Sequence, residues 1–265
     1  VAFLHDGQII SIGSLEEFQG SRLPPIRTFL DGAQTSRLAQ VSGAEVEAAD
    51  DKPTTIEEAP IVELVELHKY FGSHHVLKGV NLRIPPGQIT VLIGGSGSGK
   101  SVIVKHIMGL FKPSSGEVRV FGKDISSLTG RPLDEVRRRF GMLFQHAALL
   151  DWLSVAGNVA FALEERTNLP KKEVREQVED ILERLHIADL RDRMPSEISE
   201  GQKKRVGLAR AIVVKPEIMI YDEPTTGQDP LRTRDVDDMI QETQEDFDIT
   251  SIVISHDMAS TFRIA

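Results

Sequence analysis

The stretch QITVLIGGSGSGKS, residues 88–101, runs from an apolar segment straight into a glycine-rich loop that ends on a lysine and a serine. Ile89, Val91, Leu92 and Ile93 form the short apolar run expected of a strand buried on both faces. Gly94, Gly95, Ser96, Gly97, Ser98, Gly99, Lys100 and Ser101 then fit the spacing G-x-x-x-x-G-K-S/T in full. Glycines at this spacing let successive backbone N–H groups converge on phosphate oxygens, and a helix starting at the loop adds the positive end of its dipole. Lys100 is placed to reach the β- and γ-phosphates and Ser101 to ligate Mg²⁺. The stretch therefore predicts a strand, loop and helix that bind a nucleotide phosphate chain.

Similar apolar runs recur on both sides of it. IVELVEL (61–67) and HVLKGVNLRI (75–84) precede the loop; GEVRV (116–120), GMLF (141–144), IMIYD (218–222) and TSIVIS (250–255) follow it. Between Lys171 and Leu185, Val174, Val178, Ile181, Leu182 and Leu185 share one helical face. Strands alternating with helices predict an α/β domain with a mainly parallel sheet. At the end of IMIYD, Asp222 is placed to hold the Mg²⁺ shell and its neighbour Glu223 to polarise an attacking water.

Bulk properties exclude several classes. The chain has 265 residues, 40% of them hydrophobic, enough for a sizeable core. It has no cysteine, so disulfide scaffolds and thiolate-rich zinc sites are ruled out. A formal net charge of −9 disfavours nonspecific binding to nucleic acid, and RRR (137–139) and KKR (203–205) are read as solvated helix faces. No apolar run approaches the ~18 residues of a membrane span, so a soluble cytoplasmic protein is expected. His74, His75 and His146 lack metal-ligand company at useful spacing and are read as surface residues. Trp152 is expected either to line a groove or simply to be half-buried.

The first residues form a separate question. In VAFLHDGQIISIG (1–13), two short apolar runs flank Asp6-Gly7, a pair that favours the tight turn of a hairpin. Ser14 and Glu17 have capping-box spacing for a short helix stopping before Pro24-Pro25, and IRTFLDG (26–32) adds a further turn or two. From Gln34 to Ala59 the chain turns acidic and reads as a flexible linker.

SEISEGQKKRVGLARAI (196–212) resembles the signature segment of ATP-binding cassette (ABC) ATPases, whose usual core is L-S-G-G-Q and which here reads Ile198, Ser199, Glu200, Gly201, Gln202. The resemblance covers 61–265 and implies the fold of that family: a P-loop domain with a mainly parallel core sheet, an antiparallel β subdomain and a helical subdomain at about 146–200. It implies ATP and Mg²⁺ as ligands, with Ser101, Gln145 and Asp222 around the metal. Phe71 matches the aromatic that stacks on adenine, Gln145 the glutamine that reports on the γ-phosphate, and Asp229 the loop linking two sites. His256 matches the histidine that contacts γ-phosphate and water, beside Glu223 and Lys100. In that family Ser199, Gly201 and Gln202 would serve the nucleotide of a second subunit, so a head-to-tail homodimer is implied. Glu200, standing where glycine is usual, is expected to repel the triphosphate and weaken that dimer.

FGMLFQHAALLDWLSVAGNVAFAL (140–163), MPSEIS (194–199), DEPTTGQDP (222–230, with Gln228) and IRTFLDG are similar to the ATPase subunit of Mla-type phospholipid transporters. That implies ATP hydrolysis coupled to transport, a location on the inner face of the cell membrane, a membrane permease, an MCE-domain substrate-binding protein, in some systems a STAS-domain protein, and no nucleic acid. A related MCE-type importer of other lipids or steroids is the neighbouring alternative. A DNA-maintenance ATPase is a more distant one, since no sustained heptads separate the phosphate loop from the signature. Residues 1–33 resemble the C-terminal end of such a domain placed ahead of an acidic linker (34–59) and of the ATPase domain proper (60–265). On that reading the hairpin packs on the domain, with Val1 and Ala265 at most about 11 Å apart.

Overall fold

The structure, a computed structural model, describes residues 1–37, 59–226 and 230–264. Strands β1 (Ala2–His5) and β2 (Gln8–Ile12) are followed by helices α1 (Leu15–Gly20) and α2 (Pro24–Arg37). Strands β3 (Val62–Phe71), β4 (His74–Ile84) and β5 (Ile89–Ile93) lead into α3 (Lys100–Ile107). Then come β6 (Ser115–Val120), β7 (Lys123–Asp124), α4 (Arg131–Arg137) and β8 (Phe140–Leu143). A helical region holds α5 (Val155–Arg166), α6 (Lys171–Arg184) and α7 (Glu200–Ile212), with short 3-10 turns at Ala188–Leu190 and Pro195–Glu197. The chain closes with β9 (Ile218–Asp222), α8 (Pro230–Phe247), β10 (Thr250–Ser255) and α9 (Met258–Ile264).

The strands form two sheets, in the orders β2-β1-β5-β10-β9-β8 and β4-β3-β6-β7. In the first, β1, β5, β10, β9 and β8 are mutually parallel neighbours and β2 is an antiparallel edge; the second is antiparallel throughout. The unbroken apolar run of β5 follows from burial on both faces. Val91 and Ile93 join a core shared with α5, α6 and α7, while Leu92 joins one shared with the antiparallel sheet. The expected mainly parallel sheet, antiparallel subdomain and helical subdomain are all present. Among the described residues no helix is long and apolar enough to cross a membrane.

Strand β1 belongs to that interior. Strand β1 lies parallel to β5, with Ala2 opposite Leu92 and Phe3 opposite Ile93, and Ala2, Phe3 and Leu4 are all buried. The turn places both Asp6 (φ 45°) and Gly7 (φ 78°) in the left-handed region, as a two-residue hairpin requires. It is held from two sides: Gly7 N–H donates to Ser98 O at 3.2 Å, and Lys78 N–H donates to Gly7 O at 2.8 Å. A Cβ on Gly7 would fall 2.2 Å from the carbonyl oxygen of Val76. Ala265 lies outside the described residues, so the expected closeness of the ends does not bear on this structure.

The capping box of α1 forms as expected: Ser14 Oγ accepts from Glu17 N–H at 3.2 Å, and Glu17 Oε2 from Ser14 N–H at 2.9 Å. Helix α2 is longer than expected, continuing through Gln34 to Arg37 into the expected linker. Pro24 and Pro25 sit in its first turn, where a missing N–H costs nothing, so they start this helix as well as stopping the one before. Most of the linker, 38–58, lies outside the described residues.

Candidate active site

Register brings the candidate residues to one edge of the parallel sheet. Ile93 pairs with Ser255, Ile254 with Asp222 and Tyr221 with Leu143. The loop after β5, His256 after β10, Asp222 and Glu223 at the end of β9, and Gln145 beyond β8 therefore all emerge at the carboxyl ends of parallel strands, where open α/β sheets place their ligands.

Lys100, the first residue of α3, is 5% exposed, and its Nζ donates to the carbonyls of Gly94 at 2.7 Å and Gly95 at 3.0 Å. Burial draws its pKa below that of a free lysine, while Glu223 and Asp222 push the other way. Gly99 precedes α3 at φ 109° and no side chain caps the helix, so its positive end faces the loop. A Cβ on Gly94 would fall 2.1 Å from Leu4 O, and one on Gly99 2.8 Å from Leu77 Cδ2; at Gly95 and Gly97 it would meet nothing within 4 Å. The loop is thus closed against the protein and open outward. Ser98 Oγ, buried within it, has no hydrogen-bond partner. An open, donor-lined cradle with an ammonium at its base fits a phosphate chain.

Opposite the loop, burial and then the neighbouring Glu223 raise the pKa of Asp222 above the usual carboxylate range, against the pull of Lys105 and Lys100. Glu223 has a left-handed backbone (φ 48°), with its N–H donating to Ile254 O at 3.0 Å. Its Oε2 accepts from Thr226 Oγ1 at 3.1 Å, and its Oε1 lies 3.5 Å from His256 Nδ1. Among the described residues no three His, Asp or Glu side chains could hold a metal together. The hydroxyl of Ser101 and the carboxylate of Asp222 are oxygen donors of the kind Mg²⁺ takes, commonly one or two from the protein with substrate phosphates completing the shell.

A cleft of about 940 Å³ unites Gly95, Ser96, Lys100, Glu223 and His256. Its other wall, unforeseen in the sequence, is made by Phe3 and His5 of β1 and by Thr28 and Phe29 of α2. The spacing of Phe3 and His5 puts them on one face of β1, but nothing local in sequence shows that β1 lies beside β5. Ser101, Gln145 and Asp222 do not line this cleft, and Phe71 stands apart from it. The Phe71 ring is 44% exposed at the end of β3, edge-on to Phe111 at 5.5 Å, with Lys69 Nζ 5.2 Å from its centroid. Gln228 and Asp229 lie outside the described residues.

Ser199, Gly201 and Gln202 sit at the start of α7 and do not line the cleft of their own chain. Ser199 and Gln202 form a reciprocal capping box, Ser199 N–H donating to Gln202 Oε1 at 2.8 Å and Gln202 N–H to Ser199 Oγ at 3.3 Å. Glu200 accepts from Lys203 Nζ at 2.6 Å, and that ammonium holds its carboxyl below the usual range.

Several surface readings need correction. Lys204 of KKR is 3% exposed, and its Nζ donates to Pro224 O. In RRR, Arg138 is exposed as expected, while the half-exposed Arg137 donates to Gly109 O at 2.8 Å and the half-exposed Arg139 pairs with Glu217 and lies over the Phe121 ring at 3.2 Å. His75 is partly buried, its Nε2 3.1 Å from His68 Nδ1 and its ring stacked on Tyr70 at 3.9 Å. Trp152, 74% exposed, is not half-buried.

The sequence profile of the ABC transporter family matches residues 77–226. The chain is 40% identical over 205 residues to the intermembrane phospholipid transport system ATP-binding protein MlaF of Haemophilus influenzae, covering 77% of this chain and 78% of that protein. It is 38% identical over 197 residues to a probable ribonucleotide transport ATP-binding protein, mkl, of Mycobacterium leprae, covering 74% of this chain but only 57% of the relative's length. Among solved structures it is similar to the ATP-binding cassette MJ0796, a dimer in a post-hydrolysis state bound to ADP and Pi. That likeness has a TM-score of 0.67 and 28% identity, covering 76% of this chain and 90% of the other.

Proposed function

The chain belongs to the ABC transporter family of ATP-binding proteins, and on that premise we propose that it binds and hydrolyses ATP to power phospholipid transport between membranes. The observation that carries the hydrolytic part is the convergence of Lys100, Glu223 and His256 on one cleft. In this reading the loop 94–101 cradles the phosphates, Lys100 offsets charge developing on them, Glu223 orients the attacking water and His256 senses the γ-phosphate. Phe71 offers its exposed face to adenine. Ser101, Asp222 and Gln145 would hold Mg²⁺, which draws charge from the transferring phosphate.

Ser199, Gly201 and Gln202 lie outside their own cleft, which favours their service to the nucleotide of a second copy, in a head-to-tail homodimer with Asp229 between the sites. The dimeric solved neighbour supports this arrangement. Phospholipid as cargo is supported by the match to most of the Haemophilus protein, and it brings a permease, an MCE-domain protein and a STAS-domain protein as partners at the inner face of the membrane. Other lipids or steroids are the alternative cargo for the same machinery. Residues 1–33 are read as the closing strands and helices of the ATPase domain, supported by the seat of β1 beside β5.

Copurification of the full chain with its permease, followed by mass spectrometry of bound lipid and phosphate release with and without liposomes, tests the reading. Phospholipid in the complex and lipid-stimulated ATPase activity, lost in Lys100→Ala, are expected. A complex that carries ribonucleotide as cargo and no lipid overturns the phospholipid assignment.

A further inference from the structure

Lys204 is a buried cation that the hydrolytic scheme leaves without a role. It lies on α7, 3% exposed, one turn beyond the Ser199–Gly201 end. Its ammonium donates to the carbonyl of Pro224, the residue directly after Glu223. Taking an ammonium out of water is unfavourable unless it is paired, and a neutral carbonyl is a poor return for that cost. Burial lowers its pKa, and the carboxylate that opposes this is Glu200, four residues back on the same helix. A methionine of similar shape would fill this volume without the desolvation penalty.

What the ammonium grips is a strained segment. Glu223 occupies the left-handed region at φ 48°, where a side chain is unfavourable unless its surroundings hold it. Glu223 N–H donates to Ile254 O at 3.0 Å, anchoring it on one side to β10, and Thr226 N–H donates to Glu223 O at 3.2 Å. The Pro224 carbonyl is the next group along, and Lys204 fixes it to α7.

We infer that Lys204 is a positioning residue for Glu223, acting through the Pro224 carbonyl to tie the orientation of that carboxylate to the helix whose first turn carries Ser199 and Gly201. The inference rests on Glu223 being the residue that orients water. Given that, the end of α7 that faces a second copy's nucleotide is bolted to the water-orienting residue of its own cleft. A tilt of α7 on engaging that nucleotide is transmitted by one buried hydrogen bond to the backbone beside Glu223.

The test compares Lys204→Met, Lys204→Arg, Glu223→Gln and the double variant Lys204→Met/Glu223→Gln in the full chain. Steady-state phosphate release, fluorescent ATP-analogue binding and thermal unfolding are measured for each. In Lys204→Met, kcat is expected to fall on the order of 10- to 100-fold, the scale of a misplaced catalytic group. Nucleotide affinity stays within about twofold and the unfolding midpoint does not fall, because a buried charge has been removed. Lys204→Arg, which keeps a donor, recovers part of the rate. The double variant is no slower than Glu223→Gln, since both act on one function. Wild-type kcat in Lys204→Met, a loss that multiplies with that of Glu223→Gln, or a parallel loss of stability and affinity overturns the inference. Normal turnover by Glu223→Gln overturns instead the hydrolytic reading on which it rests. Should Lys204→Met fail to fold, Lys204→Leu, which likewise removes both donor and charge, supplies the same comparison.

Discussion

His256 Nδ1 stands 3.5 Å from Glu223 Oε1, bridging the carboxyl ends of β10 and β9. The second carboxylate oxygen is held by Thr226 Oγ1 at 3.1 Å. The carboxylate is thereby oriented before any nucleotide arrives, its free lone pairs turned to a cleft that also holds Lys100.

Glu223→Gln keeps the shape and the contact to Thr226 but cannot accept a proton from water. Phosphate release is expected to fall on the order of 10²- to 10³-fold, within the range for a lost general base. ATP binding should persist, because Lys100 and the loop are untouched. Near-normal release measured on a variant that binds ATP would remove Glu223 from this role.

Asp222 supplies a prediction about stability. Its folded pKa is raised, so in the folded chain the ionised form is disfavoured relative to the unfolded chain. Below the unfolded value of 3.8 the group is protonated in both states and costs nothing; as pH rises from there through the raised folded value, stability is lost. Asp222→Asn is therefore expected to raise the melting temperature of the nucleotide-free protein at pH 7, with the gain shrinking as the pH approaches 4. The same variant should lose Mg²⁺-dependent hydrolysis. A lower melting temperature at pH 7 would show that the carboxylate is stabilised by its surroundings, contrary to the sign argued here.

How much of this was legible in sequence depends on range. The phosphate loop, the β9 carboxylates and the helix at 171–185 are local patterns, and each formed where its spacing placed it. The α1 capping box was legible for the same reason, since Ser14 and Glu17 bond within one turn. Burial of Lys204 was not, because a lysine beside Lys203 and Arg205 looks solvated until Pro224, twenty residues on, is folded against it. The His68 and His75 contact is equally non-local, since His74 is the neighbour in sequence whereas His68 lies across the β3–β4 pairing. The Phe3 and His5 wall of the cleft depends on a strand partner ninety residues away, Ile93 opposite Phe3, which no local pattern reports.

The charge at Glu200 is answered within its own helix. Lys203 Nζ, 2.6 Å away, holds the carboxyl in its ionised form and offsets its charge. In the proposed head-to-tail dimer, repulsion of a second copy's triphosphate is then muted in the wild type, and Glu200→Gly should change ATP-driven dimerisation only slightly. Lys203→Gln should unmask the repulsion and weaken the dimer about fivefold at low salt, the ~1 kcal/mol upper scale of an exposed pair, and less at high salt. Light scattering of the hydrolysis-deficient variant with ATP across ionic strengths measures this. Equal dimerisation of Lys203→Gln and wild type at low salt would mean that Glu200 does not face the triphosphate.

The last prediction concerns Phe3. Its ring is 1% exposed, 5.5 Å from the Phe18 ring and 5.2 Å from that of Phe29, so one side chain joins β1 to both α1 and α2. It shares a core with Val91 and Ile93 of β5, the strand that delivers the phosphate loop. Removing it leaves a cavity between strand and helices that a sheet interior cannot collapse to fill. Phe3→Ala should therefore cost about 3–5 kcal/mol of unfolding free energy, as for other buried aromatic truncations. Ile12, 58% exposed on the edge strand β2, provides the control: Ile12→Ala should stay within about 0.5 kcal/mol of wild type. Because Phe3 also lines the cleft, weaker ATP binding should accompany the loss. Urea unfolding of the full chain, followed by fluorescence and circular dichroism, distinguishes the cases. Coincident transitions shifted only by Phe3→Ala would place the hairpin in the cooperative unit that carries the nucleotide site. Equal, small costs for the two variants would show that residues 1–12 rest on the domain without helping to hold it together.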